Sequence, residues 1–289
     1  MPIKDSELIL NSDGSIYHLN LRPKDIADTI ITVGDPDRVD SVTKYFDSIR
    51  FRTKKREFHT QTGTYKNKPI TVISTGIGTD NIDIVFNELD ALVNIDLKTR
   101  TIKPQLKSLD IIRIGTSGSI QKAVPIDSFL ISEYAVGFDS LLHFYNSGAI
   151  QQKDIAQAII EQTEWYTDKS SPYVVACDAQ LYSKLSSDKT YKGFTATNAG
   201  FYGPQGRVLR LSVQDNKLND KLTRFNYNGI SITNLEMETA GIYGLSKLLG
   251  HRALSMNAII ANRATGQFST RPLDVVDHLI RYTLNKLVE

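Results

Sequence analysis

Short apolar runs that end in glycine or in small polar residues are the feature that most limits how this chain can fold. Their β-branched content and their lack of strict alternation are typical of strands that are buried on both faces. Strands of this kind belong to sheets that have helices packed against them. The runs are Thr29–Val33, Ile70–Ser74, Asp110–Ile114, Phe129–Ser132, Ile230–Thr233 and Leu254–Ala261.

Apolar residues recur at steps of three and four after several of these runs, as they do along one face of a helix. The predicted helices follow Gly78, run from Thr239 to a stop at Gly250, and occupy residues 276–287. Alternating strands and helices predict an α/β fold in which helices flank a parallel or mixed central β-sheet. The sequence contains no Pro/Ser-rich linker, repeat or low-complexity tract, so we expect one domain over residues 1–289.

Overall charge, hydropathy and cysteine content exclude several classes of protein. Lys plus Arg number 34 and Asp plus Glu 32, a formal net charge of +2, so neither nucleic acid nor a membrane is an expected partner. No apolar run approaches the ~20 residues of a membrane helix, and residues 1–11 lack the apolar core of a signal peptide. Cys177 is the single cysteine and is expected to be a buried or half-buried structural thiol. These features predict a cytoplasmic protein without disulfides.

Two arginines near the predicted strands are candidates for binding an anion. Arg38 lies one short turn beyond Gly34, whose lack of a side chain lets backbone amides approach a ligand. Arg113 lies inside the third apolar run, where its charge is costly unless an anion or a carboxylate compensates it. Thr116 and Ser117 add hydroxyl groups just beyond that run. The pattern favours a phosphate pocket, and the alternatives are a solvated Arg38 and a structural ion pair between Arg113 and a core acid.

Two carboxylates bracket a methionine at a predicted strand-to-helix junction, in Glu236-Met237-Glu238. Carboxylates can accept hydrogen bonds from paired sugar hydroxyls, and Met237 could pack against the apolar face of the sugar. The alternative is that the acids only favour the helix dipole.

The segment Phe201–Arg207 carries an amide, Gln205, and a guanidinium, Arg207, two positions apart. Such a pair can meet the donor and acceptor edge of a heterocycle while Phe201 stacks on its face. A loop with nothing bound is the alternative.

Together with the turn at residues 73–78, these segments occur in the order found in the nucleoside phosphorylase family, which the chain resembles. The similarity runs from Tyr17-His18-Leu19 to Asn262-Arg263, and within the family it is strongest to members that act on uridine. The resemblance implies an α/β fold with a central mixed sheet, assembled into dimers or trimers of dimers. It also implies reversible phosphorolysis of a ribonucleoside to the free base and ribose 1-phosphate, with phosphate as co-substrate and no cofactor.

The resemblance implies a set of phosphate-binding residues and a possible cation site. The phosphate residues are Gly34, Arg38, Arg113 and Thr116, together with Arg56 from a neighbouring subunit. Two further positions match those that hold a monovalent cation, such as K⁺, at the dimer interface of some bacterial members, and they are Glu57 and Ser74.

The resemblance also implies how the nucleoside is bound. The ribose residues are Glu236, Met237 and Glu238, with His18 donated across the same subunit interface. The base residues are Ser117, Gly118, Phe201, Gln205 and Arg207, with Arg263 close behind them. Arg113, Glu238 and Arg207 carry the catalytic roles.

The base preference depends on the end of the last predicted strand. Purine-specific members have a catalytic aspartate there, whereas this chain has Asn262-Arg263. With Gln205 and Arg207 in place, we expect uridine as the substrate, uracil as the product, and a role in pyrimidine salvage. The segment 240–244 resembles purine-specific members instead, and extra residues around 98–107 leave the oligomer size open. The alternatives are a purine nucleoside phosphorylase, a nucleosidase that uses water, and a catalytically silent nucleoside-binding protein.

Overall fold

Adjacent residues of the central strands are buried in different apolar cores, which places the sheet between two layers of helices. Ile30 and Ile111 belong to one core, whereas their neighbours Ile31 and Ile112 belong to another. Successive side chains of a strand point to opposite faces, so both faces of the sheet are covered. These positions come from a computed structural model that describes residues 2–289.

Residues 2–289 form thirteen strands and seven α-helices. The strands are β1 Thr29–Val33, β2 Ser48–Lys55, β3 Phe58–Tyr65, β4 Lys68–Ser74, β5 Ile95–Asp96, β6 Thr101–Ile102, β7 Asp110–Ser119, β8 Phe129–Gly137, β9 Tyr173–Ala176, β10 Thr190–Thr197, β11 Asn234–Glu236, β12 Arg252–Asn262 and β13 Gln267–Phe268. The helices are α1 Pro36–Thr43, α2 Thr79–Asn94, α3 Lys153–Thr163, α4 Ala179–Leu185, α5 Leu218–Arg224, α6 Thr239–Leu249 and α7 Pro272–Val288.

Eleven of the strands form one mixed sheet in the order β13-β12-β8-β10-β11-β7-β1-β4-β3-β2, with β9 added beside β8. Strand β12 also pairs with β7, in parallel. The pairings β7–β12, β12–β8, β8–β10, β10–β11 and β11–β7 therefore close a ring of strands within the sheet. Strands β1 and β4 extend from β7 in the same direction, so three carboxyl ends lie side by side.

Two sets of helices cover the sheet. Residues of α2 and α6 pack in the core that contains Ile30, and residues of α1, α4 and α7 pack in the core that contains Ile31. A third core lies beneath α3 and α5. Helix α6 ends at Gly250, which has a φ of 78° and occupies the left-handed conformation. The predicted single α/β domain with a mixed central sheet is confirmed.

Five of the six predicted strands are present, and most are longer than the apolar runs that predicted them. The prediction of a strand over Ile230–Thr233 is wrong. Ile230 forms only an isolated bridge with Tyr227, and the strand starts at Asn234. The Thr233 hydroxyl accepts from the Phe194 N–H, which competes with regular ladder pairing at this point.

Cys177 is half-buried, as predicted for a structural thiol. Burial, followed by the charge of Glu133, raises the pKa of this thiol to about 12. Within residues 2–289, no helix combines the length and the apolar character that crossing a membrane requires.

Candidate active site

A cavity of about 760 Å³ lies at the carboxyl ends of β1, β4 and β7. Ligands of α/β sheets bind at this end of the strands, and the volume is typical of small-molecule sites. Most of the predicted site residues line this cavity, although they come from distant parts of the chain. They are Gly34, Arg38, Glu57, Arg113, Thr116, Ser117, Gly118, Phe201, Gln205, Arg207, Glu236, Met237 and Glu238.

Arg113 is held by three side chains at the inner wall of the cavity. Nη2 donates to Oε2 of Glu238 at 2.6 Å and lies 3.2 Å from Oε2 of Glu236, while Nη1 donates to Oδ1 of Asn257 at 3.0 Å. Burial lowers the pKa of this guanidinium, but the two carboxylates outweigh burial and the pKa lies above its usual value. The ion pair named above as an alternative is therefore present, and it fixes the direction in which Arg113 faces the cavity.

The two carboxylates differ in what else they contact. Glu236 accepts from the hydroxyl of Thr197 at 2.6 Å and from the N–H groups of Glu238 and Thr239, both at 3.0 Å. Burial raises the pKa of Glu236, although Arg113 acts in the opposite direction. Glu238 accepts only the N–H of Gly78, at 2.9 Å, besides Arg113. Glu236 thus anchors the start of α6, and Glu238 is the better placed of the two to accept ribose hydroxyls.

Arg38 is a cation of the cavity that lacks a paired carboxylate among residues 2–289. It lies in the first turn of α1, and Nη1 makes one long hydrogen bond, 3.4 Å, to the carbonyl of Ile114. Burial, and then the charge of Arg113, lower the pKa of its guanidinium. Asp35 and Glu238 act on this charge without pairing with it, and a half-buried cation with no ion-pair partner among the described residues favours the binding of an anion. The solvated Arg38 considered from the sequence is therefore not what the structure has.

The segment 201–207 forms the opposite end of the cavity. Gln205 is buried, and its Oε1 accepts from Nη1 of Arg207 at 2.6 Å. The Arg207 guanidinium lies 3.8 Å above the ring of Phe201, and burial followed by the charge of Arg263 lowers its pKa. Because a guanidinium only donates, the Gln205 amide must face it with oxygen and present its NH₂ group elsewhere. An amide donor and a guanidinium beside an aromatic ring suit the carbonyl oxygens of a flat base.

Arg263 lies behind this segment and does not line the cavity. Its guanidinium donates to the backbone carbonyls of Gln205 and Gly206. Arg263 therefore holds this segment through its backbone, and its predicted place beside the base stays a prediction.

His18 and Arg56 do not line the cavity of their own chain. Nδ1 of His18 lies 2.6 Å from Oε1 of Glu88, whose other oxygen accepts the N–H of Leu19 at 2.9 Å. This contact places the Nδ1 proton towards Glu88 and leaves Nε2 available. Arg56 is exposed at the turn between β2 and β3, with a φ of 56°. Their predicted roles require a second subunit and stay predictions.

The two residues of the predicted cation site are used differently. The Glu57 side chain lines the cavity, whereas Ser74 is fully buried. The Ser74 hydroxyl donates to the Glu57 carbonyl and accepts from the His59 N–H. These bonds tie the end of β4 to β3 and to the turn before it. The hydroxyl is therefore already engaged, and the cation site stays a prediction.

Four residues that the sequence analysis did not select fix the direction of site groups. Gly78 and Thr197 bond the two glutamates, as described above. At Gly115 a Cβ atom would lie 1.9 Å from Nη1 of Arg113, so only glycine leaves room for this guanidinium. Asn257 is an amide inside an apolar run, and the burial argument that selected Arg113 applies equally to it.

The chain is similar in sequence to several known proteins. The sequence profile of the Phosphorylase superfamily matches residues 28–283. The chain is 29% identical over 265 residues to the uridine phosphorylase of Thermococcus kodakarensis, covering 89% of this chain and 80% of that protein. It is 26% identical over 255 residues to the DeoD-type purine nucleoside phosphorylase of Levilactobacillus brevis, covering 88% of this chain and 89% of that protein.

A solved structure is similar over almost the whole chain. It is a Trypanosoma brucei nucleoside phosphorylase described as showing uridine phosphorylase activity. The two structures superpose with a TM-score of 0.88 at 31% identity, covering 98% of this chain and 99% of the other.

Proposed function

Because the chain belongs to the phosphorylase superfamily and is a pentosyltransferase, we propose that it catalyses the reversible phosphorolysis of uridine to uracil and ribose 1-phosphate. The observation that carries the proposal is the division of one cavity into two ends. One end holds Arg38, a cation with no ion-pair partner among residues 2–289, and the other holds the Gln205–Arg207 pair on Phe201.

Phosphate binds at the Arg38 end. Arg38 and Arg113 orient it below C1′ of the ribose, which turns a bimolecular encounter into an aligned reaction. Gly34 and Thr116 lie at the same end of the cavity, and we propose that Arg56 joins them from a second subunit. No general base is needed, because phosphate is already charged.

Glu238 fixes the ribose hydroxyls between the two ends, and Met237 packs against the sugar. His18 of a second subunit reaches the 5′-hydroxyl. Negative charge grows on the uracil ring as the glycosidic bond lengthens. Arg207 and the NH₂ group of Gln205 stabilise this charge at a carbonyl oxygen, as an oxyanion hole does.

Pyrimidine preference is part of the proposal. A purine leaving group is commonly assisted by a proton donor, and at the end of β12 the chain has Asn262, whose amide instead donates to the carbonyls of Gln121 and Val124. The similarity to the Levilactobacillus brevis enzyme favours a purine nucleoside as the second candidate substrate. We further propose a cytoplasmic, self-associating enzyme of pyrimidine salvage.

The proposed activity is tested by measuring the release of base from uridine, thymidine and inosine, each with and without phosphate. We expect uracil release from uridine that depends on phosphate. Release without phosphate would indicate a nucleosidase. A preference for inosine would indicate a purine nucleoside phosphorylase, and no release from any of the three nucleosides would indicate a catalytically silent binding protein.

Variants assign the two ends of the cavity in the same assay. Arg38→Ala should lower kcat/KM for phosphate at least about 100-fold, since it removes a charge-assisted contact to phosphate, and its fold should survive because Arg38 has no ion pair to lose. Arg113→Ala should abolish turnover, and Gln205→Ala should affect uridine most. Arg271→Ala removes an exposed ion pair with Asp127 and serves as the matched control. Activity of Arg38→Ala within a few-fold of the control would place phosphate elsewhere.

A further inference from the structure

A continuous line of hydrogen-bonded side chains runs around the inside of the strand ring. It contains one or two residues from each of the five strands, and each member is at most 6% exposed. The members, in order, are Arg113 on β7, Asn257 on β12, Ser132 on β8, Thr195 on β10, Asn234 on β11 and Ser117 on β7. The two ends of the line, Arg113 and Ser117, both line the cavity.

The first member sets the direction of the bonds. Arg113 can only donate, so Asn257 must face it with Oδ1, at 3.0 Å. The NH₂ group of Asn257 then faces the hydroxyls of Ser132 at 3.2 Å and Ser255 at 3.3 Å. Both protons of this amide are used, and the amide has a single orientation that satisfies all of its neighbours.

The same direction passes through the two hydroxyls that follow. Ser132 accepts from Asn257, so its own proton goes to Thr195 across an oxygen–oxygen distance of 2.6 Å. Thr195 accepts that proton and donates its own to Oδ1 of Asn234 at 3.0 Å. Asn234 therefore turns its NH₂ group to Ser117, and Nδ2 lies 3.0 Å from the Ser117 hydroxyl.

A second branch returns to Arg113 and agrees with this direction. Ser255 accepts from Asn257 and donates to the hydroxyl of Thr239 at 2.9 Å. Thr239 donates to Oε2 of Glu236 at 2.9 Å, and that oxygen lies 3.2 Å from Nη2 of Arg113. The loop closes without two donors or two acceptors meeting, so reversing any one link would break the others.

We propose that this line of hydrogen-bonded side chains from Arg113 to Ser117, which we call the relay, makes Ser117 a hydrogen-bond donor to the base. Asn257 and Asn234 are positioning residues that keep it so. Because Ser117 accepts from Asn234, its proton is left to point into the cavity. The inference rests on the proposed function and adds a specificity rule to it. The enzyme favours a base that presents a carbonyl oxygen to Ser117. The relay from Arg113 sets this preference together with the Thr233 hydroxyl, which also faces Oδ1 of Asn234, at 2.8 Å.

The test reverses the last link without changing the shape of the site. Asn234→Asp places a carboxylate opposite Ser117, which draws the Ser117 proton away from the cavity. We expect kcat/KM for uridine at pH 7.5 to fall about tenfold, the loss of one hydrogen bond, as in Ser117→Ala. The double variant should match Ser117→Ala within about twofold, because both changes remove the same bond.

The pH profile separates this role from a merely structural one. A protonated carboxyl group donates to Ser117 as the amide does, so the ratio of Asn234→Asp to wild-type activity should rise as the pH falls. For Ser117→Ala the ratio should stay flat. Asn94→Asp, a change at a buried amide that does not line the cavity, is the matched control and should also give a flat ratio.

Thr195→Val breaks the relay in the middle without adding a charge. This variant tests the proposal even if Asn234→Asp does not fold. It should lower kcat/KM for uridine several-fold and leave KM for phosphate unchanged. The affinity for uracil, measured by calorimetry in the presence of phosphate, should follow the same order of variants. A wild type that binds uracil but releases none from uridine would refute the proposed function and leave this comparison intact.

Three outcomes would overturn the relay. The first is that the folded variants keep uracil affinity and uridine turnover within twofold of wild type. The second is that the losses in kcat/KM of Asn234→Asp and Ser117→Ala multiply in the double variant. The third is that the ratio of Asn234→Asp to wild-type activity does not change with pH.

Discussion

The guanidinium of Arg113 fills the space directly over Gly115, two residues further along the same strand. This placement lets one side chain on β7 meet two carboxylates from the β11–α6 junction and an amide from β12. Arg38, within the described part of the chain, has no carboxylate at ion-pair distance and one long hydrogen bond to the carbonyl of Ile114. The cavity therefore combines a rigid, compensated cation with one that is available to an anion.

Gly115→Ala tests the importance of this space. The added Cβ would lie 2.4 Å from Cζ of Arg113, so the guanidinium must move. We expect kcat/KM to fall by about 10- to 100-fold, as for other displaced catalytic groups, and the free energy of unfolding to fall by about 3 kcal/mol, because moving the guanidinium disrupts its buried ion pairs with Glu236 and Glu238.

Steady-state kinetics and urea unfolding check this prediction. Gly148→Ala is the control, since its Cβ would meet only Nζ of Lys153, at 3.8 Å. A variant at position 115 that keeps full activity would show that the direction of Arg113 does not matter for turnover.

At the scale of residues, the sequence predicts which charged side chains need a partner, but it does not predict where those side chains point. Arg113 was selected because an ion in an apolar run needs a partner, and the structure supplies two. Which carboxylate stays open to the cavity could not be predicted, because Glu236 and Glu238 have the same chemistry. Their difference arises from Thr197 and Gly78, which approach from other elements.

Glu238 is the N-cap residue of helix α6, and the helix depends on both of its ends. Glu236 bonds the N–H groups of Glu238 and Thr239 at the start, and Gly250 ends the helix in the left-handed conformation. The sequence predicted this stop correctly because glycine is common there.

Gly250→Ala isolates the effect of that backbone conformation. A Cβ at this position would meet nothing within 4 Å, so the whole cost is the left-handed φ of 78°. We expect a loss of about 1 kcal/mol in the free energy of unfolding and unchanged kcat. Gly203→Ala also has open space but no positive φ, and it should be close to neutral. Equal stabilities of the two variants would contradict the explanation.

Strand β11 shows where local pattern fails. Residues 230–233 have good strand composition, yet the ladder uses Asn234–Glu236 instead. Asn and Glu are poor strand formers in general, but here Asn234 pairs with Ser119 and its side chain bonds Ser117 and Thr195. The position of β11 therefore depends on buried polar partners from other strands of the ring. A short stretch of sequence does not reveal those partners. The edge strand β2 was missed for a related reason, since Arg50, Arg52 and Lys54 on its exposed side hide its apolar face.

The whole molecule has an incomplete site if His18 and Arg56 act as the family resemblance predicts. Both lie outside the cavity of their own chain, so a second copy must supply them. A monomer would then bind phosphate through Arg38 and Arg113 alone and should be inactive.

Mixing two inactive variants tests this prediction. His18→Ala/Arg56→Ala subunits keep an intact cavity, and Arg113→Ala subunits keep an intact donor face. After unfolding and refolding together in equal amounts, random dimers should regain about a quarter of wild-type activity, since half of the dimers are mixed and each mixed dimer has one complete site. Refolding each variant alone is the control. No recovery from mixtures shown to contain mixed dimers would mean that the sites are not shared.

The closed strand ring has a consequence for how the protein is made. Residue 110 begins β7 and residue 262 ends β12, and the two strands pair along most of their length. A ribosome must therefore synthesise most of the chain before the ring can close, and folding that waits for such distant contacts is slow. Until β12 emerges, the nascent chain holds buried polar side chains without their partners, so chaperone dependence during synthesis should end only near the C-terminus.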